Sequence, residues 1–196
     1  MIELYIPKFL DILYEDSVRD NLTFNEVRDA FHSNQMISKN DAALGFSKLP
    51  AITDKRILYI GSWFGFFTRY LCEQYPDYAF DQIDMDHRLE QINKRYCCDV
   101  PNYGEYFNMS VDLFEPLSQY SAVINLSTEH MSDNWYQRLL PGTKILMQSN
   151  NFELDDHINT CKTIDEMKLR YPLSSVLYEN TIELNIYNRF TLVGIK

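Results

Sequence analysis

Apolar positions divide the chain into two parts with different periodicity. In the N-terminal part they recur at helical spacing, without runs of β-branched residues. The apolar residues of the first such segment are Ile6, Phe9, Leu10 and Leu13. A second helix is predicted to begin at Thr23, because Glu26 three residues later completes a capping-box pattern. Pro50 and the polar residues after it mark a boundary. We therefore predict a helical N-terminal extension over residues 1–50, packed on a domain that spans residues 51–196.

In the second part, short apolar runs alternate with helical patterns. Strands are predicted at 56–61, 78–84, 106–109, 122–126, 144–148, 176–184 and 189–194. Helical patterns occupy 66–75, 89–96, 135–140 and 164–171. Alternating strands and helices form parallel sheets that helices cover on both faces, whereas the short turn between the last two strands predicts an antiparallel pair. The pattern predicts an α/β fold with a seven-stranded, mostly parallel sheet.

Composition and charge limit the partners of this domain. The 196 residues are 45% hydrophobic, which is typical of a globular domain, and carry a net charge of −10. This charge repels nucleic acid unless a basic patch overrides it, and the lysines and arginines are scattered, so we do not expect a nucleic-acid partner. No run approaches the roughly 20 apolar residues that span a bilayer, and no signal-peptide pattern is present. We expect no membrane association and a cytoplasmic location.

The loops after the parallel strands are the places to look for a ligand site. In the loop after the first strand, Gly61 permits a tight turn and Gly65 a close approach of the next helix. Trp63 stands where a dinucleotide fingerprint has the glycine that lets backbone approach a pyrophosphate, which argues against NAD or FAD. Asp84 ends the second strand about 20 residues later, at the interval of a ribose-binding carboxylate. Each feature alone also fits a plain turn or a solvated loop, but together they favour a ribose-containing ligand.

These two segments resemble the first two motifs of class I S-adenosylmethionine-dependent methyltransferases. The similarity covers roughly residues 40–196, and it implies a Rossmann-like sheet and S-adenosylmethionine as the cofactor. By this likeness the glycine loop lines the methionine part, Asp84 holds the ribose, Met85 packs on adenine, and Ser110 or Asp112 meets the adenine amine. The residues that the resemblance assigns to cofactor binding are Gly61, Ser62, Trp63, Gly65, Asp84, Met85, Ser110, Asp112 and Asn125.

The loop after the fourth strand supplies the candidate catalytic residues, since in this family it faces the methyl group. Imidazole titrates near neutral pH, so His130 is a candidate general base. Glu129 is a candidate for orienting His130 or binding a cationic acceptor, although a helix cap explains the same segment equally well. Asp156 and His157 are interpreted as part of a solvated loop, and no metal ion is expected.

The resemblance implies a methyltransferase that acts on a small-molecule or protein acceptor. Two alternatives use the same features. One is another reaction of S-adenosylmethionine, such as aminobutyryl transfer of the nicotianamine-synthase type or cleavage of the cofactor. The other is a binding protein that keeps the fold without turnover.

Overall fold

The computed structural model describes residues 6–13 and 24–196. The helices are α1 (Ile6–Leu13), α2 (Phe24–Ala30), α3 (Ser33–Phe46), α4 (Phe66–Gln74), α5 (His87–Tyr96), α6 (Asn134–Gln137) and α7 (Ile164–Arg170). The strands are β1 (Arg56–Ile60), β2 (Ala79–Asp84), β3 (Tyr103–Asn108), β4 (Ala122–Asn125), β5 (Lys144–Asn150), β6 (Ser175–Glu183) and β7 (Asn188–Ile195). All the strands predicted from the sequence are present, with bounds that shift by a few residues.

The strands form one sheet in the order β3-β2-β1-β4-β5-β7-β6. Strands β1 to β5 pair in parallel, and β7 runs antiparallel to both β5 and β6. This arrangement confirms the predicted α/β fold and its antiparallel terminal pair. The chain builds outward from β1 to β3 and then returns to place β4 on the other side of β1. Such a reversal of strand order opens a crevice at the carboxyl ends of β1 and β4.

Hydrophobic residues alternate between the two faces of the sheet, and each face has its own core. In β1, Ile57 and Tyr59 face one core and Leu58 and Ile60 face the other. Helices α1, α3, α4 and α5 contribute to the first core, while α6, α7 and short 3₁₀ turns after β3 contribute to the second. The prediction of helices on both faces is therefore confirmed.

The N-terminal part contains a helix, α3, that the sequence pattern did not distinguish from the helix before it. Thr23 lies outside the described residues, so its role as a cap stays a prediction. Helix α2 ends at Ala30, and α3 begins after His32, whose Nδ1 accepts a hydrogen bond from the Asn34 amide over 3.2 Å. The buried face of α3 carries the polar residues Ser38, Lys39 and Asp41, and this obscures its helical periodicity.

These buried polar groups attach α3 to the antiparallel end of the sheet. The Ser38 hydroxyl donates to Gln148 Oε1 over 2.7 Å, and the Tyr178 hydroxyl donates to Asp41 Oδ1 over 2.6 Å. Helices α1 and α3 also share the first core with β1. A domain boundary near residue 50 stays a prediction. No helix in residues 6–13 or 24–196 is both long and apolar enough to cross a membrane.

Candidate active site

A cavity of about 670 Å³ opens at the carboxyl ends of the central parallel strands. Its wall comes from the loops that follow β1, β2, β3 and β4, from α3, and from inward-facing residues of β5 and β7. This is the position at which the reversal of strand order predicts a ligand site. The volume lies within the range of about 300–1,000 Å³ that is common for small-molecule sites.

The loop after β1 turns sharply because several of its residues have left-handed backbone. Gly61 has φ +65° and Gly65 has φ +75°. Glycine adopts these angles without strain because it has no Cβ to clash with the backbone. A Cβ on Gly65 would also lie 2.1 Å from Asn93 Oδ1, so this glycine lets α4 start against α5. Trp63 has φ +50° and keeps a full side chain in a conformation that costs roughly 1–3 kcal/mol. Trp63 therefore has backbone of the kind that usually favours glycine.

Asp84 connects this loop to the loop after β2. Its Oδ2 accepts a hydrogen bond from the Trp63 amide over 3.0 Å, and its Oδ1 accepts one from the Asp86 amide over 3.1 Å. Burial raises the pKa of the Asp84 carboxyl, and these backbone N–H groups act in the opposite direction. The carboxylate thus holds the two loops together and also lines the cavity.

Most of the residues singled out by the sequence converge on the cavity. Those that line it are Gly61, Trp63, Asp84, Met85, Ser110, Asp112, Glu129 and His130. Met85 is 77% exposed at the entrance. Ser62, Gly65 and Asn125 are not among the lining residues. Asn125 is buried, and its Oδ1 accepts from the Ser127 amide over 3.0 Å, so it shapes the loop after β4 from within.

Glu129 forms a buried ion pair with Arg189, a residue that no sequence motif identified. Glu129 is only 2% exposed, and its Oε1 accepts from Arg189 Nη1 over 2.8 Å and from Asn150 Nδ2 over 2.6 Å. Arg189 also donates to the Leu126 carbonyl and lines the cavity. The pair fixes the loop after β4 against β7. Removal of one partner of such a pair usually costs about 3–5 kcal/mol.

His130 faces the cavity with a different partner from the one expected. Its side chain is 40% exposed, and Nδ1 lies 3.3 Å from Asp156 Oδ2. The ring also packs edge-on against His157, with 4.5 Å between centroids. Asp156, rather than Glu129, is therefore the carboxylate closest to Nδ1 of this imidazole.

Comparison with known proteins places this geometry in a known fold. Neither protein-family models nor curated protein sequences match the chain. Among solved structures, the N-methyltransferase NodS from Bradyrhizobium japonicum, in complex with S-adenosyl-L-homocysteine, has TM-score 0.63 and 13% identity, over 91% of this chain and 96% of that chain. A SAM-dependent methyltransferase from Leishmania major has TM-score 0.69 and 15% identity, over 98% and 82%. One from Aquifex aeolicus has TM-score 0.64 and 11% identity, over 89% and 99%.

The chain has the class I methyltransferase fold. The resemblance that two short motifs indicated is confirmed at the level of the fold, although the sequences share few residues. In this methyltransferase fold the cavity described above lies at the reversal of strand order, where the loops after β1, β2 and β4 meet.

Lys39 of α3 is a further ionisable residue in the cavity, and no sequence motif identifies it. It is 7% exposed, donates to Gln35 Oε1 over 2.9 Å, and places Nζ 5.2 Å from the centroid of the Trp63 ring. Burial, assisted by the positive charge of Arg189, lowers the pKa of Lys39 to about 7, while Asp29 acts in the opposite direction. Near neutral pH the cavity therefore contains an amine whose protonated form a negatively charged ligand would stabilise.

This depressed pKa predicts a dependence of stability on pH. Above pH 7 the folded protein releases the Lys39 proton, whereas the unfolded chain retains it up to about pH 10.5. The free energy of unfolding should therefore rise from pH 7 to pH 9 by up to about 2 kcal/mol relative to that of Lys39→Met. Urea unfolding of both proteins at several pH values measures this difference. Parallel pH profiles would show that Lys39 has an ordinary pKa.

Proposed function

We propose that the chain is an S-adenosylmethionine-dependent methyltransferase that acts on a small-molecule or protein acceptor. One observation carries the proposal: the glycine loop and the Asp84 carboxylate meet at one cavity, and His130 lies on the loop that faces them. The fold supports a methyltransferase in general, and the acceptor class follows from the net charge of −10, which disfavours nucleic acid.

The cavity residues suit a nucleoside without phosphate groups. Asp84 retains lone pairs for the ribose hydroxyls, and such charge-assisted hydrogen bonds are strong. Exposed Met85 offers an apolar surface for adenine, and Ser110 and Asp112 line the same end. The loop from Gly61 to Trp63 would hold the methionine part. Bound there, S-adenosylmethionine supplies a methyl group that its positive sulfonium activates.

His130 is the proposed proton acceptor at the other end of the cavity. The imidazole would accept a proton of the acceptor at Nε2, and the Asp156 carboxylate beside Nδ1 would stabilise the imidazolium that forms. Glu129 contributes as a positioning residue, because its ion pair with Arg189 fixes the loop that carries His130. Proton removal of this kind typically accelerates a reaction by about 10²–10⁴-fold.

Asp84→Asn is expected to weaken binding of S-adenosylhomocysteine by at least about tenfold, because loss of the charge weakens the hydrogen bonds to ribose. Asp77→Asn is the matched control, since Asp77 is exposed outside the cavity and the substitution removes the same charge. Calorimetry on both variants and the wild type measures the dissociation constants. Equal affinities for Asp84→Asn and the wild type would remove Asp84 from the cofactor site.

Methyl transfer itself is tested by incubation with labelled S-adenosylmethionine and a panel of small-molecule and protein acceptors, followed by mass analysis. The expected products are a methylated acceptor and S-adenosylhomocysteine, with turnover lowered about 10²–10⁴-fold in His130→Ala but not in His87→Ala. Methylthioadenosine would indicate aminobutyryl transfer or cleavage of the cofactor instead. Intact cofactor with every acceptor would favour a binding protein, and full activity in His130→Ala would exclude that residue as the base.

A further inference from the structure

Three potential metal ligands meet beside the wall of the cavity. Glu129 and His130 come from the loop after β4, and His157 comes from the segment between β5 and α7. One ligand atom from each residue lies within 4.8 Å of both others. The two segments are tied together at this point, because the Asn159 amide donates to the Glu129 carbonyl over 3.0 Å. The three side chains therefore meet on backbone that is held in place.

Both imidazoles have one nitrogen engaged in the way that suits a metal ligand. His157 Nδ1 lies 2.6 Å from the Phe152 carbonyl oxygen, which can only accept, so Nδ1 carries the proton. His130 Nδ1 lies 3.3 Å from the Asp156 carboxylate, close enough for an ion pair when the ring is protonated. In His157, Nε2 is then the nitrogen with a free lone pair, and we place the His130 ligand atom at Nε2 because Nδ1 faces Asp156. Metal-binding histidines usually donate their other N–H to a carbonyl or carboxylate in this manner.

The Glu129 carboxylate has an oxygen left over for a cation. Oε1 accepts from both Arg189 and Asn150, whereas Oε2 is buried without a hydrogen-bond partner among the described residues. A buried acceptor left unpaired costs about 1–3 kcal/mol, and more when it is charged. The contacts with Arg189 and Asn150 thus satisfy Oε1 and leave Oε2 available to a cation.

We propose that Glu129, His130 and His157 bind one divalent first-row transition-metal ion of the Zn²⁺ or Co²⁺ type. Two imidazoles and one carboxylate favour these ions, whereas Mg²⁺ and Ca²⁺ prefer sites built from oxygen alone. Bonds of roughly 2.0–2.2 Å require the ligand atoms to close by about 1 Å, which rotation of exposed His130 can supply. Protein provides three ligands, so the remaining positions are open to water or to a molecule in the cavity.

Binding of the ion can be measured without acceptor or cofactor, so the metal site is tested separately from methyl transfer. The two proposals meet at His130, since one Nε2 lone pair cannot hold a metal ion and accept a proton together. In protein loaded with metal, His130 is a ligand and not the base.

Titration of the protein with Co²⁺, followed by visible absorption, tests the site, because four- or five-coordinate cobalt absorbs more strongly than the six-coordinate hydrated ion. We expect one equivalent to bind, with Zn²⁺ displacing it and with about 10 mM Mg²⁺ leaving it in place. His157→Gln should weaken Co²⁺ binding at least about 100-fold, since it removes one of three ligands. Calorimetry with S-adenosylhomocysteine on the same samples reports separately on the cofactor site.

His87→Gln is the matched control, because it removes an exposed imidazole at the start of α5, away from the three ligands. It should bind Co²⁺ as the wild type does, and circular dichroism verifies that both variants are folded. Equal Co²⁺ affinity in His157→Gln and the wild type would overturn the proposal, as would the absence of a cobalt spectrum at about 1 mM ion. Displacement of the cobalt by Mg²⁺ would overturn the assignment to a transition metal.

Discussion

The hydrogen bond from the Trp63 amide to the Asp84 carboxylate is the contact on which the candidate site depends. Parallel pairing of β1 with β2 ends at Ile60 and Ile83, so the loops after these strands leave the sheet side by side. Asp84 joins them by accepting one backbone N–H from each loop. The same carboxylate is thus the group proposed to hold ribose and the group that stabilises the left-handed backbone at Trp63. In the proposed complex, recognition of the ribose and the geometry of the loops would be coupled through this single side chain.

The opposite end of the cavity depends on a second buried contact, between Glu129 and Arg189. Arg189 belongs to β7, so the antiparallel end of the sheet positions the loop that follows β4. Helix α3 packs on the same end through Ser38 and Asp41 and carries Lys39 into the cavity. The positive charge of Arg189 also helps to lower the pKa of Lys39, so ionisable groups that line the cavity influence one another's protonation.

Local patterns predicted the strands and the two loops that meet at the cavity. Runs of apolar residues, a glycine turn and a carboxylate at a strand end are each visible within a few residues. Helix α3 was not separated, since its buried face is polar and lacks the periodicity of an amphipathic helix. The ion pair between Glu129 and Arg189 was not predicted, and neither was the contact between His130 and Asp156. Arg189 and Asp156 come from segments far along the chain, and only the packing of β7 and of the segment after β5 brings them to the loop.

A crystal structure of the protein with S-adenosylhomocysteine tests the central claim most directly. The account predicts both ribose hydroxyls within about 3 Å of the Asp84 carboxylate, with the sulfur directed toward His130 and Glu129. The Trp63 amide should keep its hydrogen bond to Asp84 in that complex. A ligand bound elsewhere, or an adenosine that does not contact Asp84, would contradict the account.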